Sequence, residues 1–181
     1  SVYYGGYSSS NDGDVTGNHG GHDLWVVKTD TIGVIMWSKL FGGTSDEAAM
    51  QIKIAPQSGN LLLSGFTYSA DGDISRNYGD ADAWTLMLDS NGNKIWEKTI
   101  GNKLPNITAP VSYLSPSDFV IAPNTYTKTE RFNTQVYNSN SSMFRLGSAN
   151  PLMAYAVVDT NRNGLPDLQE PPFNRIMIAA R

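Results

Sequence analysis

Short segments of alternating apolar and polar residues, and short apolar runs, recur along most of the chain. Met50, Ile52 and Ile54 alternate with polar residues, which is the pattern of a half-buried β-strand. Residues 61–68 and 83–88 are apolar runs that indicate strands covered on both faces. No segment has the length and periodicity of a helix. The pattern therefore predicts an all-β chain of short strands.

The spacing of these strands repeats. A gapless shift of 59 residues aligns two stretches of the chain, and Trp25 then falls on Trp84. The other matches include Gly6 and Gly65, Asp12-Gly13-Asp14 and Asp71-Gly72-Asp73, Asn18 and Asn77, Asp23 and Asp82, Gly33 and Gly92, Trp37 and Trp96, Lys39 and Lys98, and Gly42 and Gly101. Asn91-Gly92 predicts a hairpin between the last two strands of the second copy.

Four strands in each repeat predict the blades of a β-propeller, with a sandwich or another all-β repeat as the alternative. Residues 1–43 form blade one, which lacks its first strand, and residues 44–102 form blade two. Residues 103–173 form a diverged third blade, and residues 174–181 a strand that pairs into a neighbouring blade. Three blades are fewer than usually close a ring, so we expect further blades or a partner at the open edges.

The third copy is the weakest. Residues 119–127 resemble residues 61–69, and residues 154–159 resemble residues 84–89. The stretch between these segments is longer than in the first two copies and has lost the Asp-Gly-Asp triplet.

Composition and charge argue against some classes of partner. The chain has 181 residues, a net charge of −4 and no cysteine, which disfavours nucleic acid or an anionic membrane as a partner. No apolar stretch is long enough to span a bilayer. The chain begins with Ser1 inside an apolar run, so we interpret it as a processed or partial chain, and the missing targeting signal does not indicate a compartment.

The residues Asp23-x-Trp25-Val26-Val27-Lys28-x-Asp30-x-x-Gly33-x-x-x-Trp37-x-Lys39-x-x-Gly42-Gly43 resemble the repeats of large secreted proteins of bacteria that use the type IX secretion system. Residues 6–15 are similar to the loop that precedes this pattern in those repeats. The Asp-x-x-Gly-x-x-x-Trp part also resembles the tryptophan-docking repeat of quinoprotein propellers. The resemblance covers residues 1–102 and implies a propeller, export, and a role at the bacterial cell surface or outside the cell.

One stretch has the ligand spacing of an EF-hand calcium loop, although a strand precedes it and two prolines follow it. The calcium ligands would be Asp159, Asn161, Asn163, the Leu165 carbonyl, Asp167 and Glu170. The alternative is a lengthened hairpin turn.

A second acidic pattern occurs once in each good copy, and it is a weaker calcium candidate. Its residues are Asp12, Asp14 and Asp23, and in the next copy Asp71, Asp73 and Asp82. The alternative is that each carboxylate caps a nearby turn through backbone N–H groups.

The recurring tryptophans favour packing between blades, with each indole N–H bonded to the backbone, over a sugar-stacking platform. His19 and His22 have no histidine counterparts in the second copy, which favours solvated loop residues over zinc ligands. No catalytic residues are identified.

These features favour a non-enzymatic secreted or cell-surface module that acts as a scaffold or binds a protein or glycan within a larger assembly. One alternative is a propeller enzyme, either quinoprotein-like or carbohydrate-active. The other is a subunit or cargo fragment held in a secretion complex.

Overall fold

The computed structural model describes residues 1–107, 110–115, 118–122, 124–131, 134–147 and 150–156. All regular structure in these ranges is β-strand, which confirms the all-β prediction. The strands are β1 (Val2–Ser8), β2 (Asp23–Thr29), β3 (Ile35–Phe41), β4 (Glu47–Ile54), β5 (Leu61–Thr67), β6 (Asp82–Leu88), β7 (Lys94–Ile100), β8 (Val111–Ser115), β9 (Asp118–Ile121), β10 (Asn124–Arg131), β11 (Thr134–Gly147) and β12 (Asn150–Ala156). Across the same ranges there is no helix that is long and apolar enough to cross a membrane.

The strands form three antiparallel sheets. Sheet one has the order β1-β2-β3, and sheet two has the order β4-β5-β6-β7. Sheet three has the order β10-β11-β9-β8, with β12 paired to β11. Sheet one therefore has one strand fewer than sheet two.

Strand pairing confirms the 59-residue repeat. Gly6 lies opposite Trp25 in sheet one, and Gly65 lies opposite Trp84 in sheet two. The next pair of strands also shares one register, and both sheets have an irregularity after the same position, at Lys28 and Met87. The two copies thus agree residue by residue in backbone pairing.

The turns between the last two strands of each copy are also the same. Asp89 Oδ1 accepts hydrogen bonds from the N–H groups of Asn91 and Asn93, both at 2.8 Å. Asp30 holds the corresponding turn of sheet one in the same way. Gly92 has a φ of 76°, which favours glycine and confirms the predicted hairpin turn.

Sheets one and two pack face to face around one apolar core. Its buried residues are Leu24, Val26 and Phe41 from sheet one, Leu61, Leu63, Trp84, Leu86 and Leu88 from sheet two, and Ile74 from the loop before β6. Each such side chain stabilises the fold by roughly 1.5–3 kcal/mol on burial. This core fixes sheet one against β4, the first strand of sheet two.

The opposite face of sheet two packs against sheet three. Leu62 and Ala83 are buried with Phe119 and Ile121. The Trp96 ring stacks on Phe119, with 5.4 Å between ring centroids and 7° between ring planes. Sheet two is therefore covered on both faces, as its continuous apolar runs predict.

Sheet three departs from the expected third copy. Residues 119–127, expected to match one strand, are divided between β9 and β10. Beside β9 lies β11, and residues 154–156 belong to β12, which pairs with β11. β11 thus lies next to β9, in the position that β6 has next to β5 in sheet two. Residues 174–181 lie outside the described residues.

Candidate functional site

The segment that joins sheet one to sheet two lies among several carboxylates. We call residues 42–46, between β3 and β4, the connector. Four acidic side chains lie beside it: Asp23, Glu47, Asp71 and Asp73. Asp23 and Glu47 begin strands β2 and β4, whereas Asp71 and Asp73 lie in the loop before β6. The connector therefore contacts acids of both copies.

Asp71 and Asp73 of the second copy hold the connector from one side. Asp71 accepts hydrogen bonds from the backbone N–H and the hydroxyl of Thr44, both at 2.9 Å. The Thr44 N–H donation is the largest cause that lowers the pKa of Asp71. Asp73 accepts from Gly42 N at 3.2 Å and donates its own N–H to the Gly42 carbonyl at 2.9 Å. Lys94 pairs with Asp73 Oδ1 at 2.5 Å.

Glu47 holds the connector from inside the protein. Its side chain is fully buried, and Oε2 accepts the Gly43 N–H at 2.8 Å. Oε1 accepts the Thr67 hydroxyl at 2.6 Å and the Ser69 N–H at 3.2 Å. A buried carboxylate is tolerated only with several donors, and Glu47 has three.

Asp23 is the second fully buried carboxylate at the connector. Its Oδ2 accepts the His19 N–H at 2.8 Å and lies 2.6 Å from Nδ1 of the His19 ring. Its Oδ1 is buried without a hydrogen-bond partner. A Cβ atom at Gly42 would lie 2.5 Å from both Asp23 Oδ1 and Glu47 Oε2, so both acids approach the connector at this glycine.

The second copy has a related arrangement at the equivalent positions. Asp82 and Asn106 occupy the positions of Asp23 and Glu47, and Asn106 N bonds to the Ala81 carbonyl as Glu47 N bonds to that of His22. Burial raises the pKa of Asp82, although the N–H of Tyr78 and the side chain of Asn106 lower it. An amide thus replaces the second carboxylate in this copy.

Both histidines lie beside carboxylates, which the sequence did not indicate. His22 donates its backbone N–H to Asp46 Oδ1 at 2.8 Å, and its ring Nδ1 lies 2.9 Å from the same oxygen. The backbone donation is the largest cause that lowers the pKa of Asp46. His19 therefore bonds to an acid four residues along the chain, whereas His22 bonds to the connector itself at Asp46.

A second junction between the copies uses β3 and the hairpin turn of sheet two. Trp37 lies against Gly92, and its indole N–H donates to the Ser90 carbonyl at 3.3 Å. Lys39 Nζ donates to the Gly92 carbonyl at 2.8 Å. Packing between copies is thus found at Trp37, as expected of the recurring tryptophans.

The indole N–H groups of Trp25 and Trp84 do not donate to the backbone, contrary to the expectation. Trp25 Nε1 donates to the Ser38 hydroxyl at 2.8 Å, and Trp84 Nε1 donates to Glu97 at 3.0 Å. Both acceptors are side chains on the adjacent strand instead of backbone groups. In both copies the acceptor lies two positions from the residue directly opposite the tryptophan, which is Leu40 for Trp25 and Thr99 for Trp84.

The acids of the weaker calcium candidate in the first copy differ in burial. Asp12 and Asp14 are exposed, whereas Asp23 in the same copy is buried beside His19. Within the described ranges, no three His, Asp or Glu side chains are grouped so that they could hold a metal ion. The EF-hand-like ligands Asp159, Asn161, Asn163, Leu165, Asp167 and Glu170 lie outside the described residues.

Glu47 and the connector were missed in the sequence. The 59-residue shift places Glu47 on Asn106, so the repeat alone gave no reason to single it out. Its position three residues after an exposed Thr44, at the start of a strand, resembles a solvated turn. Only the burial of its side chain among Gly43, Thr67 and Ser69 identifies its role.

Together Glu47, Asp71 and Asp73 hold the connector by its backbone: their carboxylates accept its N–H groups, and the backbone N–H of Asp73 donates to the Gly42 carbonyl. No protein-family model matches the chain. No curated protein matches its sequence either.

Proposed function

We propose that the chain is a non-enzymatic module of a secreted or cell-surface β-propeller, a scaffold that binds a protein or glycan partner within a larger assembly. The observation that carries this proposal is the stacking of sheet two on sheet one with the same register in each. Propellers are built by radial repetition of such sheets, each one covering the face of the next.

The use of the carboxylates supports a structural role. Glu47, Asp71 and Asp73 accept hydrogen bonds from the connector. A catalytic acid or base needs free access to a bound substrate, whereas these groups are occupied by the backbone of the same chain. Their chemistry favours a scaffold over an enzyme.

Exposed tyrosines support a glycan as the partner. Tyr7 lies near the end of β1 and is 60 % exposed, and Tyr68, one residue beyond β5, is 45 % exposed. Tyr78, in the loop that leads into β6, is 42 % exposed. Tyrosine rings with one free face and a polar hydroxyl suit stacking on sugars, because they combine apolar area with a hydrogen-bonding group.

The experiment is a glycan array probed with the full chain and with two variants. We expect saturable binding to a set of glycans, and loss of that binding in the triple variant Tyr7→Ala, Tyr68→Ala, Tyr78→Ala. The matched control is Ile95→Ala, which removes a similarly exposed apolar side chain elsewhere. Release of sugar from the array would contradict a non-enzymatic role, and equal binding by the triple variant would contradict glycan binding through these tyrosines.

Calcium binding at residues 159–170 belongs to the same proposal. The donor set is rich in oxygen, as calcium prefers. Isothermal titration of the full chain should show calcium binding that Glu170→Gln removes. If calcium produces no heat and EDTA leaves the melting temperature unchanged, the loop is a plain turn.

A further inference from the structure

Part of the surface of sheet one is open, whereas the equivalent surface of sheet two is covered by residues 37–49. Three of the glycine pairs that match between the copies show the difference: Gly6 with Gly65, Gly13 with Gly72, and Gly33 with Gly92. A Cβ atom built on Gly6, Gly13 or Gly33 would meet nothing within 4 Å. Each of the second-copy glycines, by contrast, is in contact with residues 37–49.

The first contact is strand pairing. Gly65 on β5 lies against the Ala48 carbonyl of β4, and no side chain would fit between them. On β1, which has no outer neighbour among the described strands, the same position at Gly6 is open. The apolar residues Val2 and Tyr4 of this strand are exposed, whereas Leu61 and Leu63 at the matched positions are fully buried.

The second contact is the Asp-Gly-Asp loop. In the second copy Asp71 and Asp73 accept hydrogen bonds from the connector, and Gly72 lies against the Gly42 carbonyl. In the first copy Asp12 and Asp14 are exposed. Carboxylates in this arrangement accept N–H groups of a Gly-Gly-Thr turn, as the second copy demonstrates.

The third contact is the hairpin turn. Trp37 and Lys39 lie on the turn that contains Gly92. The same turn in the first copy, at Gly33, carries Ile32 and Val34, which are 84 % and 58 % exposed. An apolar turn of this kind offers a surface for the ring of another tryptophan.

We propose that β1, the Asp12–Asp14 loop and the Asp30–Val34 turn form one docking surface for a separate repeat unit with the pattern of residues 37–54. The incoming strand pairs with β1, its Gly-Gly-Thr turn binds Asp12 and Asp14, and its tryptophan covers Gly33. The proposal deepens the scaffold function and rests on it, because it names the partner of one face as another repeat.

A second copy of this chain is a poorer occupant. Its own Gly42 and Thr44 are already bound by Asp71 and Asp73, and its Trp37 already lies on Gly92. At the matched position of sheet two, Trp96 is stacked on Phe119. A second copy would therefore have to break contacts within itself before it could fill this surface.

The test uses a fluorescein-labelled synthetic peptide of residues 37–54 and the full 181-residue chain, with binding followed by fluorescence anisotropy. We expect saturable binding that the double variant Asp12→Asn, Asp14→Asn weakens by about tenfold or more, because charge-assisted bonds to backbone N–H groups are lost. Gly6→Val should abolish binding, since its side chain would occupy the place of the incoming strand. Asp80→Asn, an exposed acid away from this surface, should bind like the parent.

Folding is checked separately, by the far-ultraviolet circular dichroism and melting temperature of each variant. Gly6→Val should match the parent in both, since the space around Gly6 is open. Peptide binding that is unchanged in Gly6→Val would overturn the proposal, and so would absence of peptide binding. Self-association of the chain that Gly6→Val abolishes would overturn it in favour of a second copy. The glycan array tests the scaffold function with other variants, so failure of the docking proposal can be distinguished from failure of the proposed function.

Discussion

Gly65 lies directly against the Ala48 carbonyl across the β4–β5 pair, while Gly6, at the same position of the first copy, faces open space. One glycine is thus required by a neighbouring backbone, and its match 59 residues earlier is not. The same substitution can therefore be made at two positions that share their strand pairing but differ in their neighbours.

Alanine at these two glycines should have opposite consequences. Gly65→Ala forces β4 away from β5 and should lower the free energy of unfolding by about 2 kcal/mol or more. Gly6→Ala adds a methyl group to open space and removes a flexible residue, so it should leave stability unchanged or raise it by up to about 0.5 kcal/mol. Urea unfolding of both variants measures the difference, and equal losses would contradict the different surroundings of Gly6 and Gly65.

The strands, turns and repeat could be predicted because local patterns determine them. The apolar run at 61–68 and the Asn91-Gly92 pair specify a strand and a turn over a few residues. The alternation at Met50–Ile54 predicts the strand correctly but not its buried face, since Met50 and Ile54 are exposed. The gapless shift then required the second copy to fold like the first. Sheet pairing at Trp25 and Trp84 follows from these signals.

The connector could not be predicted, because its contacts join residues distant in sequence. Asp71 and Asp73 bond to residues that precede them by 27 and 31 positions. The spacing of the Asp-Gly-Asp triplet suggests turn capping or a cation equally well, and only the placement of Gly42 and Thr44 decides what these carboxylates accept. The strand order of sheet three was not predicted for a related reason, since the pairing of β11 with β9 joins residues that are distant in sequence.

Removal of the buried carboxylate at the connector should be costly. Glu47→Ala leaves the Gly43 N–H, the Thr67 hydroxyl and the Ser69 N–H without their acceptor. We expect a loss of about 3 kcal/mol in the free energy of unfolding, because buried donors are left unpaired. Chemical denaturation provides the measurement.

Two variants make this result specific to the connector. Glu47→Gln keeps an oxygen acceptor and should cost less than Glu47→Ala. Asp14→Ala, which removes an exposed carboxylate, should change stability by less than about 0.5 kcal/mol. A Glu47→Ala variant as stable as the parent would show that Glu47 does not hold the connector.

Lys39 should stabilise the junction between sheets one and two. Its Nζ donates to the Gly92 carbonyl and lies 3.2 Å from Asn93 Oδ1. Lys39→Met keeps most of the apolar stem and removes the charged donor, so it should lower the free energy of unfolding by about 1–2 kcal/mol. The matched control is Lys98→Met, at the same position of the second copy. A similar loss in both variants would indicate a general effect of charge instead of this junction.

Asp82 and Asp71 should give stability profiles of opposite sign against pH. Burial raises the pKa of Asp82 above its ordinary value of 3.8, so the fold favours the protonated acid. Ionisation of Asp82 therefore destabilises the fold as the pH rises through its raised pKa, and the cost is absent below 3.8. An asparagine side chain at this position cannot ionise, so the stability of Asp82→Asn relative to the parent should increase as the pH rises from about 3 to 6.

Asp71 provides the contrast, because the Thr44 N–H holds the pKa of its carboxyl below 3.8. Ionised Asp71 stabilises the fold above 3.8, and this contribution is lost as the pH falls through the lowered pKa. The stability of Asp71→Asn relative to the parent should therefore decrease as the pH rises from about 2 to 4. Urea unfolding at a series of pH values measures both slopes. Two slopes of the same sign would show that Asp82 and Asp71 do not differ in burial and donors as the structure places them.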